Sequence, residues 1–286
     1  MIESGVMELG PNVARGLRRV AQYVRHAPGL NGLAPIWDHL RGPYGRALAY
    51  LTRAQGLPLR IGGYVMRFDP SVANLNWETV EVEAYRAFAA KIRSGDVIYD
   101  VGAHFGTYTL IALQKGGTNT RVIAYEPCDL TRSFLERHLA WNGAAERVIV
   151  RPLCCGAFDG TTSFFYSPDS PEGNNGLLQT EGMKEASVTI RTLDTEVAEL
   201  GLEPSIIKID VEGAEWQVLK GAERVLNQHR PRLFLSLHPG PLSTLGQTPK
   251  MITDWLLDRA YECQELSHDQ EIHVMAVPSS RQRVCA

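Results

Sequence analysis

Long apolar runs and an excess of basic residues are both missing from this sequence. No apolar run approaches the roughly 20 residues that a membrane-spanning helix needs, so no transmembrane segment is predicted. Residues 1–16 lack the basic-then-apolar order of a secretory signal. The net charge is −3 at pH 7, which gives no electrostatic case for nucleic-acid binding. These absences predict a cytoplasmic protein with no nucleic-acid partner.

Cysteine is scarce as well, and its spacing excludes two kinds of site. The five cysteines are odd in number, and no two of them have the C-x-x-C spacing. Neither a disulfide framework nor a zinc site is therefore predicted, and a reducing compartment fits this usage. We expect Cys154 and Cys155 in the core, because buried free cysteines behave like small hydrophobic side chains.

The chain divides into an N-terminal part and a larger main domain. Residues 1–76 are predicted to be a helical extension, with a basic amphipathic helix at 13–24, a second helix at 36–55 and a strand or hairpin at 59–68. The extension helices are expected to pack on the domain, and they are a candidate surface for self-association. Residues 77–286 are long enough for an α/β domain with a sizeable core.

Strands and helices alternate through the main domain, which predicts parallel strands joined by right-handed crossovers. The predicted strands lie at 97–99, 121–125, 147–153, 205–210 and 232–237. The predicted helices lie at 80–92, from 110 onward, at 130–141, at 215–226 and around 252–256. Residues 261–266 and 271–277 are predicted to close the chain as a hairpin.

One segment, 160–192, interrupts this alternation. It is predicted to be a hairpin insertion, with strands at 161–166 and 187–192 on either side of a polar loop. A loop of this length inside a domain is usually functional or disordered.

A glycine-bearing turn follows the first of the parallel strands. Residues 96–109 read DVIYDVGAHFGTYT, in which an apolar strand breaks at Asp100 into a turn that contains Gly102 and Gly106. A strand, a glycine turn and a helix together form the nucleotide-sized pocket of many α/β proteins. Gly102 allows both a sharp turn and close approach of a ligand. An ordinary βα turn would give the same pattern. The residues at the other strand ends are therefore needed to distinguish a ligand site from such a turn.

Ionisable residues stand at the carboxyl ends of the predicted strands, where ligands bind in open α/β sheets. These residues are Asp100, Glu126, Asp210 and His238, with Glu212 just beyond. Glu126 follows the second strand, and an acid there can accept hydrogen bonds from both hydroxyls of a ribose. The alternatives are helix capping and a solvated strand end.

The turn favours a methyl donor over a dinucleotide. A dinucleotide turn reads G-x-G-x-x-G, whereas Ala103 stands here in place of the second glycine. An acid at Asp100 also suits a cationic group better than a phosphate. S-adenosylmethionine carries an ammonium and a sulfonium and has no phosphate. An NAD(P)-dependent oxidoreductase and a non-catalytic cofactor-binding scaffold remain as alternatives.

Several motifs together resemble the FkbM-type methyltransferases between residues 80 and 237. They are DVIYDVGAHFGTYTLIA, IAYEP, HLAWNG, RTLDT and IIKIDVEGAEWQVLKGAERVL. The resemblance implies a Rossmann-like class I methyltransferase fold, α/β, with a seven-stranded mostly parallel sheet in the order 3-2-1-4-5-7-6 and helices on both faces. It also implies S-adenosylmethionine-dependent O-methylation of a hydroxyl on a small-molecule or glycan acceptor such as a sugar or polyketide-type natural product, with S-adenosylhomocysteine as product.

The resemblance also implies roles for individual residues. Asp100, Gly102 and Gly106 would hold the methionine end of the donor, Glu126 the ribose, and residues 151–155 would adjoin the adenine. The predicted donor-binding residues are Asp100, Gly102, Ala103, His104, Gly106, Tyr108, Thr109, Glu126, Pro127 and Asp210. Two positions depart from the family's pattern: His104 stands where asparagine is common, and Leu237 where an acid often precedes the histidine.

Methyl transfer needs aligned reactants and removal of a proton from the acceptor. His238 is the predicted base, since an ordinary imidazole pKa near ~6.5 suits that task, and Asp210 is predicted to face the reaction centre. Asp210, Glu212 and His238 are also candidate oxygen and nitrogen ligands for a divalent ion. Lys208 is expected to pair with a neighbouring acid, and Glu215 to be structural.

Acceptor specificity is expected to lie in the helical extension and in the loop at 167–186. The candidate aromatic walls for an acceptor are Trp77, Tyr108 and Tyr166.

Overall fold

The computed structural model describes residues 55–72, 81–168, 175–268 and 271–279. The helix predicted at 13–24, nearly all of that at 36–55, and Trp77 lie outside the described residues. The predicted boundary between residues 76 and 77 also lies outside them, so the division into two parts stays a prediction.

The strands of the described residues are named in chain order. They are β1 (Leu57–Ile61), β2 (Tyr64–Phe68), β3 (Val97–Val101), β4 (Arg121–Tyr125), β5 (Val148–Arg151), β6 (Cys154–Cys155), β7 (Gly160–Tyr166), β8 (Lys184–Arg191), β9 (Ile206–Ile209), β10 (Arg232–Leu237), β11 (Tyr261–His268) and β12 (Ile272–Pro278). The helices are α1 (Val82–Lys91), α2 (Thr107–Gly116), α3 (Asp129–Trp141), α4 (Leu193–Leu200), α5 (Glu215–Lys220), α6 (Glu223–Gln228), α7 (Pro239–Thr244) and α8 (Pro249–Asp258).

Seven of these strands form the main sheet, in the spatial order β5-β4-β3-β9-β10-β12-β11. Numbered along the chain within this sheet, the order is 3-2-1-4-5-7-6, which confirms the prediction. The first five strands pair in parallel, and β12 is antiparallel to both β10 and β11. Because β12 runs the other way, its first residue lies at the same edge as the carboxyl ends of the parallel strands.

Helices cover both faces of this sheet, as predicted. Successive side chains of a strand point to opposite faces, so Ile98 packs into the core beneath α1, α2 and α3, whereas Tyr99 packs beneath α4 to α8. The β1–β2 hairpin, predicted at 59–68, packs into the first of these two cores. No helix among the described residues has the length and hydropathy that would let it cross a bilayer.

The predicted insertion is present as a small separate sheet. Strands β7 and β8 form the predicted antiparallel hairpin, and β6 adds a third strand parallel to β8. Cys154 and Cys155, which make up β6, are buried as expected.

One predicted helix was wrong in its extent, and two helices were missed. The helix predicted at 215–226 is divided at Gly221 into α5 and α6, because the Asp194 carboxylate accepts hydrogen bonds from the amides of Arg224 and Val225 and so caps the start of α6. Helix α4 begins after Thr192, whose hydroxyl accepts a hydrogen bond from the Thr195 amide, and α7 begins at Pro239. Both starts are ordinary helix signals that the sequence carries.

Candidate active site

The glycine turn after β3 is held against two neighbouring strands. The amides of Gly102 and Ala103 both donate to the carbonyl oxygen of Tyr125, at 3.1 and 2.9 Å. Gly102 has φ 80°, and a Cβ at this position would stand 1.7 Å from the carbonyl oxygen of Asp210. Only glycine therefore fits where the turn, the end of β4 and the end of β9 meet.

Glu126 closes the turn from the end of β4. Its carboxylate accepts hydrogen bonds from the amides of His104 and Cys128, both at 2.9 Å. Burial raises the pKa of Glu126 to about 7, although these two hydrogen bonds oppose the rise. His104 has φ 50°, a left-handed conformation that asparagine adopts readily. This conformation gives a physical reason for the asparagine common at that position.

A cavity of about 200 Å³ opens between the turn, the end of β9 and the inserted sheet. Five of the predicted donor-binding residues line it: Gly102, His104, Glu126, Pro127 and Asp210. Leu153, Cys154 and Cys155 line it too, and they stand where the adenine was predicted. The inserted sheet and its loop contribute Phe164, Asn175, Gly176 and Leu177.

The other predicted donor-binding residues lie behind the cavity wall. Asp100 is buried and accepts a hydrogen bond from the Thr109 hydroxyl at 2.5 Å, and burial raises its pKa. A Cβ on Gly106 would stand 2.5 Å from Leu135. Ala103 is buried in the core. These positions shape the turn from behind.

The predicted aromatic walls do not line the cavity in the described residues. The Tyr108 hydroxyl donates to Glu81 at 2.8 Å, and its ring lies 4.4 Å from the Lys208 ammonium. Tyr166 packs against the small core of the inserted sheet. Phe164, which the sequence did not single out, is the phenylalanine at the cavity.

Carboxylates dominate the polar lining of the cavity. They are Glu81, Glu126, Asp210, Glu212 and Glu271. The described residues of this lining include no lysine and no arginine. Burial raises the pKa of Glu81 and of Glu212 to about 7, with repulsion from neighbouring acids adding to the effect. A cavity of this charge disfavours phosphate and favours a cationic group.

Lys208 provides a buried cation beneath these acids. Its ammonium lies 2.8 Å from Asp210 Oδ2, so the predicted pairing of Lys208 with a neighbouring acid is present. Burial by itself raises the pKa of Asp210, but Lys208 and His238 outweigh it and bring the pKa down to about 2. Asp210 is therefore a carboxylate at neutral pH.

His238 is buried among four acids at the end of β10. Its Nδ1 bonds to Glu215 Oε1 at 2.7 Å, and its Nε2 lies between 3.3 and 3.7 Å from Glu271, Glu212 and Asp210. Burial lowers the pKa of His238, but the hydrogen bond to Glu215 and the surrounding carboxylates raise it to about 11. The imidazole is thus charged at neutral pH in this environment, whereas its predicted role as base assumed an ordinary pKa.

Sequence reasoning missed three acids of this site. Glu81 stands just before α1, and Glu271 just before the antiparallel strand β12. Glu215, expected to be structural, contacts His238 directly. Glu271 could have been found from the sequence, because it stands at the start of a predicted antiparallel strand. The start of such a strand lies at the same edge of the sheet as the carboxyl ends of the parallel strands. Glu81 carries no comparable signal.

The sheet order 3-2-1-4-5-7-6, the glycine turn after the first strand and the acid at the end of the second define a Rossmann-like methyltransferase. The family model for the methyltransferase FkbM domain matches residues 100–263, which is more than half of the chain. The chain belongs to the FkbM methyltransferase family.

This chain is similar to several proteins of known name. Hexuronic acid methyltransferase AglP of Haloferax volcanii is 28% identical over 222 residues, which are 74% of this chain and 84% of the relative. The 31-O-demethyl-FK506 methyltransferase FkbM of Streptomyces tacrolimicus is 28% identical over 172 residues, which are 49% of this chain and 64% of the relative. The crystal structure of methyltransferase FkbM from Methylobacillus flagellatus aligns with a TM-score of 0.45 and 17% identity, covering 88% of this chain and 60% of that one.

Proposed function

We propose that this protein is an S-adenosylmethionine-dependent O-methyltransferase. It methylates a hydroxyl of a small molecule, with a sugar, a glycan or a polyketide-type natural product as the acceptor class. The observation that carries the proposal is the cavity beside the glycine turn, whose described lining holds five carboxylates and no lysine or arginine. Two relatives are named for a hexuronic acid and for 31-O-demethyl-FK506, and these names support the acceptor class.

The charge of the cavity separates this donor from a dinucleotide. A pyrophosphate would meet several carboxylates in a described lining that holds no lysine or arginine, whereas a sulfonium and an ammonium would be attracted to them. In the proposed complex Glu126 accepts hydrogen bonds from the ribose hydroxyls, and the backbone of Gly102 and His104 adjoins the methionine end. Leu153 and Cys154 supply an apolar surface for the adenine.

The reaction moves the methyl group from sulfur to the acceptor oxygen. The electron pair of the broken carbon–sulfur bond stays on sulfur, which gives S-adenosylhomocysteine. The acceptor hydroxyl gives its proton to a cavity carboxylate, and we assign this role to Glu212, whose pKa is raised to about 7. Asp210 lines the cavity from the end of β9, and we assign it to hold the acceptor hydroxyl in line with the methyl group. His238 lies 3.7 Å behind Asp210 and is assigned to fix the position of that carboxylate.

The acceptor is proposed to enter over the inserted sheet. Phe164, Asn175 and Leu177 line the cavity on that side. The backbones of Phe165 and Gly176 are joined by two hydrogen bonds, which fix this end of the loop to β7. These residues belong to the segment 160–192, whose long polar loop is expected to be either functional or disordered. Acceptor selectivity is therefore assigned to the insertion.

Ligand-dependent melting of the full chain tests the donor. S-adenosylhomocysteine is expected to raise the melting temperature, and NAD to leave it unchanged. A rise in melting temperature with NAD and none with S-adenosylhomocysteine would refute the proposal and favour an NAD(P)-dependent oxidoreductase.

A radiolabelled methyl donor tests the reaction. It is offered with a panel of hydroxylated sugars, glycans and macrocycles, and label is expected in at least one acceptor. Donor binding without label transfer across the whole panel would favour a non-catalytic scaffold.

A further inference from the structure

Three residues at the ends of neighbouring strands meet beside the cavity, and two of them, Asp210 and Glu271, line it. Asp210 follows β9, His238 follows β10, and Glu271 precedes β12, and these three strands are adjacent in the sheet. One oxygen or nitrogen atom from each residue lies within 4.8 Å of the others. The positions of the three residues are therefore set by the pairing of strands in the main sheet. The predicted set of metal ligands was different, because it contained Glu212 in place of Glu271.

His238 has an atom that the protein leaves without a hydrogen bond. The side chain is only 5% exposed, and its Nε2 makes no hydrogen bond within the described residues. That atom lies 3.3 Å from Glu271 Oε1, 3.4 Å from Glu212 Oε2 and 3.7 Å from Asp210 Oδ1. Of these acids, Asp210 and Glu271 form with His238 the group whose ligand atoms all lie close to one another. Atoms bound to one ion at neighbouring positions of an octahedron lie about 3 Å apart. Small side-chain adjustments would bring these three atoms to such spacing.

The opposite nitrogen of His238 is held in the way that metal-binding histidines are held. Its Nδ1 bonds to Glu215 Oε1 at 2.7 Å, and the same oxygen accepts from the Gly213 amide at 2.9 Å. Glu215 is fully buried. A carboxylate on the far side of the ring fixes the orientation of a ligating imidazole.

The negative charge of the surrounding carboxylates also favours a bound cation. The acids around the group are Glu81, Asp210, Glu212, Glu215 and Glu271, and the described cations among them are Lys208 and the protonated His238, so the acids are in excess. One of these carboxylates is buried and four are partly buried, and such a group is costly unless cations neutralise it. A divalent ion would supply two positive charges where the acids converge.

We infer that Asp210, His238 and Glu271 bind a divalent metal ion, with Glu215 as the residue that positions His238. Two carboxylates and an imidazole suit a first-row divalent ion such as Mn²⁺. The ion takes the place of the proton on Nε2. Asp210 and Glu271 line the cavity, so the remaining coordination positions open toward it. That these positions hold acceptor oxygens rests on the proposed function, whereas metal binding itself does not.

Mn²⁺ titration of the metal-free full-length chain, followed by electron paramagnetic resonance, tests the site without donor or acceptor. One saturable Mn²⁺ per chain is expected. Glu271→Gln is expected to weaken binding at least tenfold because it removes a ligand, and Glu215→Gln about 10- to 100-fold because it releases the imidazole. Glu265→Gln, on the exposed face of β11, is the matched control and is expected to bind like the unaltered chain.

Glu271→Gln keeps the size and shape of the side chain, and an unchanged melting temperature will show that it folds. Absence of saturable Mn²⁺ binding to the folded chain would overturn the inference. The position between the acids would then hold the proton on His238 Nε2 and no metal ion. Binding of equal strength in Glu271→Gln would overturn it too. A chain that binds Mn²⁺ through these residues but transfers no methyl group would sustain the metal site and refute only the proposed function.

Discussion

The carbonyl oxygen of Asp210 occupies the space that a side chain on Gly102 would need. A Cβ on Gly102 would stand 1.7 Å from that oxygen, and the residue already has φ 80°. The contact joins the turn after β3 to the end of β9, two of the places from which the cavity is built. A change at residue 102 must therefore move the residue predicted to face the reaction centre.

Gly102→Ala is expected to destabilise the chain by more than about 2 kcal/mol, since left-handed strain alone costs about 1–2 kcal/mol and the clash adds to it. Binding of S-adenosylhomocysteine is expected to fall more than tenfold. Urea unfolding and calorimetric titration measure the two effects. Gly201→Ala is the matched control, because Gly201 has a left-handed conformation, with φ 62°, but open space around it. Equal losses in both variants would show that the contact with Asp210 is unimportant.

Glu126→Gln is expected to weaken S-adenosylhomocysteine binding roughly 10- to 100-fold, the range for losing charged hydrogen bonds to two hydroxyls. The amide can accept from only one of the His104 and Cys128 amides, so stability should also fall by about 1–3 kcal/mol. Calorimetric titration below the melting temperature separates the two losses. Glu136→Gln, on the exposed face of α3, controls for the general effect of charge removal. Unaltered affinity in Glu126→Gln would remove the ribose assignment.

Asp210→Asn and His238→Ala are each expected to lower methyl transfer about 100-fold or more while S-adenosylhomocysteine still binds. The expectation follows from Asp210 at the cavity wall and His238 directly behind it. Turnover is measured with a radiolabelled donor, and binding by the shift in melting temperature. Normal turnover in both variants would refute the catalytic assignment.

His138 is expected to make the chain less stable as the pH falls from about 6.5 to about 4. Its Nε2 accepts from the Asp69 amide and its Nδ1 donates to the Phe105 carbonyl, both at 2.9 Å. Burial lowers the pKa of His138 to about 4. Over this interval the unfolded chain binds a proton that the folded chain does not, so the free energy of unfolding decreases by about 3 kcal/mol.

Urea unfolding at several pH values, compared with His138→Gln, isolates this effect from the carboxylates that titrate in the same range. A glutamine can both donate and accept at this position without binding a proton. The difference in stability between the two chains should therefore change with pH. A constant difference from pH 7 to pH 4 would show that His138 does not titrate as expected.

Much of the fold follows from local patterns in the sequence. Strands β3, β4, β9 and β10 are short apolar runs bounded by glycine, proline or ionisable residues. Such a run can be recognised as a buried strand even when the strands beside it are unknown. The glycine turn could be located because its backbone geometry excludes other residues. Glu126 could be chosen because its place is fixed by the end of β4. The break at Gly221 could not be predicted, because the start of α6 is capped by Asp194, which is distant in sequence.

The sequence by itself determined the alternating architecture, the turn at residues 102–106 and the acids at the strand ends, because each depends on a few consecutive residues. Only the tertiary structure decided which acids share a site. Glu271 reaches His238 because β12 inserts antiparallel beside β10, and Glu215 reaches it because α5 packs back over the sheet. The charge on His238 is decided by these contacts too, since the energy of a buried proton depends on the groups within a few ångströms of it.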